Sequence, residues 1–209
     1  MKMRIGDWVG DLLERDATAA RRGELGSQMV EFAVTLPLLV VFVVGIFDFS
    51  GAFTLKQKLT NVARTAARAA AAEPSSDLGK PLPISVSDAF YTIDTYLKAN
   101  QINDCGIAVG NVAAASPVWT FTKSGGGCTG SGLTITINRG YYYPATASAQ
   151  PATSSCTHQA VTGQIAVIAT CVSIQYGYPW RFGQAASLLG STTALPSTLI
   201  ATAVAMNEN

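Results

Sequence analysis

Gly26 to Phe47 reads GSQMVEFAVTLPLLVVFVVGIF: a glycine, then Glu31, then an uncharged run rich in valine, leucine and phenylalanine. Beyond Asp48 the apolar character resumes from Phe49 to Leu55. Phe32 to Leu55 is about 24 residues, roughly 36 Å of helix, against a hydrocarbon core of about 30 Å. The segment is expected to enter a membrane as a single transmembrane helix. A cleaved secretory signal has a short apolar middle followed by a small-residue cut site. Here the apolar run is too long and begins too late, and Asp48-Phe49-Ser50-Gly51 makes a poor site.

Glu31 needs a reason. A carboxylate at the centre of a membrane helix costs about 2.5–3.5 kcal/mol and less toward the ends. If a peptidase cuts after Gly26, Ser27 becomes the N-terminus and Glu31 the fifth residue of the mature chain. This resembles the type IV prepilin processing motif. The resemblance implies that the Glu31 carboxylate pairs with the free amine of Ser27 in a neighbouring subunit, compensating two charges that would each be costly to bury alone.

The residues around this pair narrow the resemblance. Gly26-Ser27, Glu31-Phe32-Ala33, Leu36-Pro37-Leu38-Leu39 and Gly45-Ile46-Phe47, followed by Asp48-Phe49-Ser50, are similar to the TadE-like proteins, the pseudopilins of the Tad (Flp) pilus. The similarity covers about residues 20–72. TadG-like proteins share the N-terminal signature but usually carry a further large domain, for which this chain leaves no room. The resemblance implies a minor pilin-like structural subunit for a Tad-type pilus in adhesion and biofilm formation. Its implied partners are the bacterial inner membrane, a prepilin peptidase, other Tad pilin and pseudopilin subunits and the assembly platform. The alternative is an unprocessed, signal-anchored extracytoplasmic binding or scaffold domain.

Within the apolar helix Pro37 removes one backbone hydrogen bond and is expected to kink it, and Gly45 is a second soft point. Beyond the span, Leu55, Leu59, Val62, Ala66 and Ala69 recur at helical spacing, with Gln57, Asn61, Arg64 and Arg68 on another face. This predicts an amphipathic extension ending near Ala72, before Glu73-Pro74. The stripe is expected to pack on the chain's own domain, with packing between filament subunits as the alternative. Four regions follow: a cleaved cytoplasmic leader over 1–26, a transmembrane helix over 27–55, an amphipathic helix over 56–73, and an extracytoplasmic domain over 74–209.

Charge leaves the orientation open. Arg15, Arg21 and Arg22 precede the span, whereas Lys56, Lys58, Arg64 and Arg68 follow it. The cysteines decide it, because Cys105, Cys128, Cys156 and Cys171 all lie after the span in a region rich in Ser, Thr and Gly. They form no C-x-x-C pair, and with His158 as the single histidine a metal site is not expected. Two disulfides in an oxidising compartment are expected, with the N-terminus cytoplasmic. Three pairings are possible, of which Cys105 with Cys128 and Cys156 with Cys171 is preferred.

The region from 74 to 209 has few charges of either sign, so it offers no electrostatic footprint for nucleic acid. Its patterning is mostly that of strands. Val118 to Lys123 alternates, Leu133, Ile135 and Ile137 alternate with Thr134, Thr136 and Asn138, and Gln164 to Tyr178 can form one bent strand or two. Ser124 to Gly127 and Thr129 to Gly132 are turn chemistry. One helix is expected with Ser87 as its cap and Val86, Phe90, Ile93 and Leu97 on one face, and a last helix from Pro196 to Met206. The fold class is therefore α+β: a pilin-like N-terminal helix, then a small, mainly β domain with one or two helices.

Tyr141-Tyr142-Tyr143 and Tyr176 to Trp180 are the candidate docking aromatics, although such residues are equally at home in strands. No catalytic constellation, phosphate-cradling loop or nucleophile elbow is found, and no cofactor is expected. Gly125, Gly127 and Gly130 match G-x-G-x-x-G without the following helix that a dinucleotide site requires.

Overall fold

The computed structural model describes residues 5–144, 156, 166–181 and 196–208, without the side chains of 5–27, 143, 144, 166 and 167. The chain is α+β. One helix, α1 (Ile5–Ala72), is followed by α2 (Ile84–Ala99), a short 3-10 turn (Val109–Asn111) and five strands: β1 (Val112–Ala115), β2 (Val118–Lys123), β3 (Leu133–Pro144), β4 (Ala166–Gly177) and β5 (Thr198–Met206). The strands form one antiparallel sheet in the order β1-β2-β3-β4-β5, a meander in which each strand pairs with its sequence neighbour.

The core lies where the second half of α1 and the inner face of α2 cover one face of this sheet. Leu59, Val62, Ala63, Ala66, Ala67 and Ala70 of α1 meet Val86, Phe90, Ile93 and Leu97 of α2 and the strand residues Trp119, Phe121, Ile135, Ile137, Val172 and Ile174, all buried. The period-2 pattern of β2 and β3 explains the register: Trp119 stands opposite Ile137 and Phe121 opposite Ile135, so the large side chains share the α1 face. The alanines of α1 let the helix approach the sheet closely. The Leu59–Val62–Ala66 stripe therefore packs on the chain's own domain, with Leu55 and Ala69 at its partly buried margin.

The β2–β3 loop is built on glycine. Gly132 has φ +72° and a Cβ there would stand 2.2 Å from the Lys123 carbonyl oxygen; Gly125, Gly127 and Gly130 also have positive φ. Their G-x-G-x-x-G spacing is thus turn chemistry.

Two expected elements are corrected. The helix expected from Pro196 to Met206 is instead strand β5, paired with β4 from Gly177↔Thr198 to Ala169↔Met206. Leu199, Ala203 and Met206 fit a helical stripe, but Leu199, Ala201, Ala203 and Ala205 fit a strand face equally well, and that face is the one packed on the core. An open edge on β4 supplies hydrogen bonds that outweigh local propensity. Ser87 does not cap α2, which begins earlier, at Ile84. Asp77 Oδ2 accepts the Ile84 N–H at 2.8 Å instead, and the Ser87 hydroxyl donates back to the Ile84 carbonyl at 2.8 Å.

Candidate functional site: the bare helix and its junction with the domain

Gly26, Ser27 and Glu31 lie within α1, which runs as one helix from Ile5 through the apolar segment to Ala72, with Pro37 inside it. Among the described residues α1 alone is long and apolar enough to cross a membrane. Over Gln28–Ala72 its most apolar stretch has mean hydropathy 2.5 and is 6% buried. From Gln28 to Val40 every side chain is exposed, on all faces of the helix. A helix apolar all round with no protein about it needs an apolar solvent, and the chain reads as a single-pass membrane protein. Glu31 is exposed and has no hydrogen-bond or ion-pair partner among the described residues.

Going up the helix, the fold first closes in at Val41 and Val44, which are half-buried, and at Gly45 and Asp48, which are buried. Asp48 is the one acid between Glu31 and Glu73, and it is clasped from far away in sequence. The Tyr178 hydroxyl lies 3.2 Å from its Oδ1 and 3.1 Å from its backbone carbonyl, and the Arg181 N–H donates to Oδ2 at 2.8 Å. Burial, then the negative charge of Asp48, pushes the Tyr178 phenol above its ordinary pKa. Aromatic rings surround the clasp. Trp180 stands 5.2 Å from Phe49 and 4.8 Å from Tyr178, and its indole N–H donates to the Pro196 carbonyl at 2.6 Å. A shallow cleft of ≈ 430 Å³ opens between Val44, Phe47 and Asp48 on the helix and Tyr178, Pro179 and Arg181 on the loop. Gly51 makes room for this approach, since a Cβ there would stand 3.0 Å from the Tyr178 hydroxyl. One turn higher, the Lys56 ammonium donates to the Ile200 carbonyl of β5.

A second clamp holds the far end of the helix. β3 carries a bulge between Asn138 and Tyr141, where one extra residue is inserted against β4. The irregularity puts Arg139 on the α1 face and Tyr141 on the opposite one. The Arg139 guanidinium donates to the Ala70 carbonyl, to the Glu73 carbonyl at 2.7 Å, to the Thr170 hydroxyl at 2.8 Å and to Asn207 Oδ1 at 3.3 Å. It thus adds a donor to the Ala70 carbonyl, which also accepts the Glu73 N–H at 3.3 Å, and supplies one to the Glu73 carbonyl just beyond the helix, where a cation is also favoured by the helix dipole. Burial pulls the Arg139 pKa down, opposed by Asp77 and Glu73.

All four cysteines are paired. Cys105 is joined to Cys128, tying the loop after α2 to the β2–β3 loop, and Cys156 to Cys171, on the outer face of the sheet beside Tyr141 and Ala169. Among the described residues no cluster of His, Cys, Asp and Glu could hold a metal ion. His158 lies outside the described residues.

The aromatic runs separate into different roles. Tyr141 and Tyr176 are buried, Tyr142 is exposed, and Tyr178 and Trp180 belong to the junction with α1. Asp48, Arg139 and Arg181 carry no motif in the sequence that marks them for a role. Their only local signal is isolation: a lone acid in an apolar helix, and a lone arginine in a neutral strand.

No curated protein and no solved structure matches the chain. Residues 26–68, from the glycine through the bare helix to the turns that pack on the sheet, match the family described as TadE-like protein, the family that the residue pattern of this segment resembles.

Proposed function

We propose that this chain is a minor pilin-like subunit of a Tad-type pilus, inserted with its N-terminus inside, cut after Gly26 by a prepilin peptidase and used in pilus assembly. The observation that carries the reading is the coincidence of three boundaries. The TadE-like match begins at Gly26, Glu31 is the fifth residue beyond it, and the uncharged apolar run begins immediately after, at Phe32. Cleavage leaves Ser27 with a free amine next to the membrane and Glu31 on the following turn as the only acid before Asp48. In a membrane the Glu31 carboxylate gains from a cationic partner on a neighbouring subunit, and the Ser27 amine of that subunit is such a group. The helix is then the anchor before assembly and the packing element after it, while the disulfide-tied sheet domain stays on the oxidising side and makes the contacts outside the membrane.

The test is the N-terminal residue and intact mass of the protein from its native membrane, with and without the host prepilin peptidase. The expected mature chain begins at Ser27 and reverts to the full-length form without the peptidase; a start at Met1 in both would leave a signal-anchored domain. Glu31→Ala is expected to abolish incorporation into pili without affecting membrane insertion.

A further inference from the structure

The place where the bare helix meets the domain carries an inference about lipid. Tyr178 to Arg181 is irregular backbone that follows the end of β4 and lies against α1 at Asp48. Irregular backbone exposed to hydrocarbon would leave N–H and C=O groups without partners, so the hydrocarbon must end at or below this level. Counting down the helix from Phe47, about 20 residues at ~1.5 Å each give roughly 30 Å, the thickness of the hydrocarbon layer, and end at Gln28. The two limits fall at polar marks of the sequence, Asp48 at one end and Ser27 at the other, with Glu31 one turn inside the lower limit.

What the domain presents at the upper limit is the chemistry of a membrane interface. Phe49 and Phe53 are exposed on the helix, Trp180 and Tyr178 are partly exposed beside them, Pro179 has no N–H to satisfy, and Arg181 is exposed at the rim of the cleft. Trp and Tyr concentrate at the headgroup level, and a guanidinium binds phosphate oxygens well. We infer that the Tyr178–Arg181 loop, clasped to Asp48, is a lip that rests on the phospholipid headgroup layer, ending the membrane span at Phe47 and holding the sheet domain against the bilayer surface. The occupant of the aromatic rim and the cleft beneath it is lipid. The span is correspondingly shorter than the 27–55 expected from hydropathy, because Phe49 to Leu55 runs beside the domain and through the interface.

This inference rests on the reading of α1 as a membrane helix, and the experiment separates the two. The full chain is reconstituted into phospholipid vesicles carrying bromine atoms either near the glycerol or near the acyl-chain ends. Tryptophan quenching is read for the unaltered protein and for Trp180→Phe, and the difference isolates Trp180 from Trp8 and Trp119. Phe keeps a ring against Phe49 and Tyr178 and gives up only the indole bond to Pro196. The expected result is a Trp180 component quenched several-fold more by the shallow bromines than by the deep ones. A phospholipid bearing a photoactivatable group on its headgroup, used on the unaltered protein, is expected to label the peptide containing 178–181 and so covers a Trp180→Phe chain that does not fold. Protein that resists alkaline extraction while Trp180 is unquenched and the loop unlabelled overturns the lip and leaves the span. Equal quenching at both depths overturns it by placing the loop within the hydrocarbon. Protein released by alkali overturns span and lip together.

Discussion

The two halves of α1 are made by the same backbone and answer to different surroundings. Leu39 and Leu59 sit on one helix; the first is 62% exposed and the second 0%. Around Leu39 the residues are large and apolar on every side, with no charge from Phe32 to Phe47. Around Leu59 they are graded: alanines toward the sheet, Lys58, Arg64 and Arg68 elsewhere, and Lys56 reaching the β5 edge. A sheet can be approached closely only by small side chains, and water tolerates only the charged face. The lower half has neither small residues for a sheet nor charges for water. The distribution of size and charge around the helix, more than total hydrophobicity, separates a lipid-facing turn from a core-facing one.

The sharpest way to break this comparison is to make one substitution in both halves. Leu59→Ala removes a fully buried side chain from the domain's core and is expected to cost the domain about 2–5 kcal/mol, measured by denaturant unfolding in detergent micelles. Leu39→Ala is expected to leave the domain's unfolding midpoint unchanged, because its side chain is exposed and outside the core. Similar losses at both positions would mean that protein, not lipid, covers the lower half.

A smaller effect is expected at the end of the core-facing half. Arg139→Met keeps much of the side chain's bulk but removes the donors to the Ala70 and Glu73 carbonyls and to Thr170 and Asn207. The Ala70 carbonyl keeps the Glu73 N–H and Asn207 Oδ1 keeps the Thr170 hydroxyl, so the loss falls mainly on the Glu73 carbonyl and is expected to cost about 1–3 kcal/mol. Arg139→Lys should recover only part of it, since one ammonium cannot reach as the guanidinium fork does. Hydrogen exchange localises the effect: amides of the last turn of α1 should exchange faster in Arg139→Met, while those near Leu39 should not change. Acceleration spread evenly over the sheet would instead make Arg139 a general packing residue.

The two clamps also show why some of this molecule was legible in the sequence and some was not. The apolar span, the amphipathic stripe and the alternation of β2 and β3 are local: each is written in residues within a few positions of one another, with a period that backbone geometry enforces. β5 is ambiguous in the sequence for a related reason. Alanine is small enough to serve a helix face or a strand face, so Thr198–Met206 has no periodicity that excludes either, and the choice was made by the open edge of β4. The β3 bulge has no local mark beyond Gly140, yet it sends Arg139 and Tyr141 to opposite sides of the sheet. The clamps join residues far apart, Ala70 with Arg139 and Asp48 with Tyr178, and a lone charge announces that a partner is needed without saying where it is. The cysteines stand between these cases: four residues announce disulfides, but three pairings satisfy the count, and only the fold brings Cys105 to Cys128 and Cys156 to Cys171.

The smallest effect is expected where the two halves meet, and its pH dependence identifies it. Tyr178→Phe removes one hydroxyl from the clasp on Asp48 and is expected to cost about 0.5–1.5 kcal/mol near neutral pH. The Tyr178 phenol is raised above its ordinary value of 10.0 by burial and by the charge of Asp48. A group whose folded pKa is raised contributes stability that is fully present below its unfolded pKa and is lost as pH rises through the folded one. The hydroxyl's contribution should therefore be constant up to about pH 10 and vanish above it, as a phenolate facing the Asp48 carboxylate is repelled. Lysines and the other tyrosines titrate alike in both chains and cancel in the difference. The gap in unfolding free energy between the unaltered protein and Tyr178→Phe should thus close as pH passes above that range. A gap that persists at high pH would mean that the hydroxyl does not face Asp48, and the boundary between the lipid-facing and core-facing halves would then have to be drawn without it.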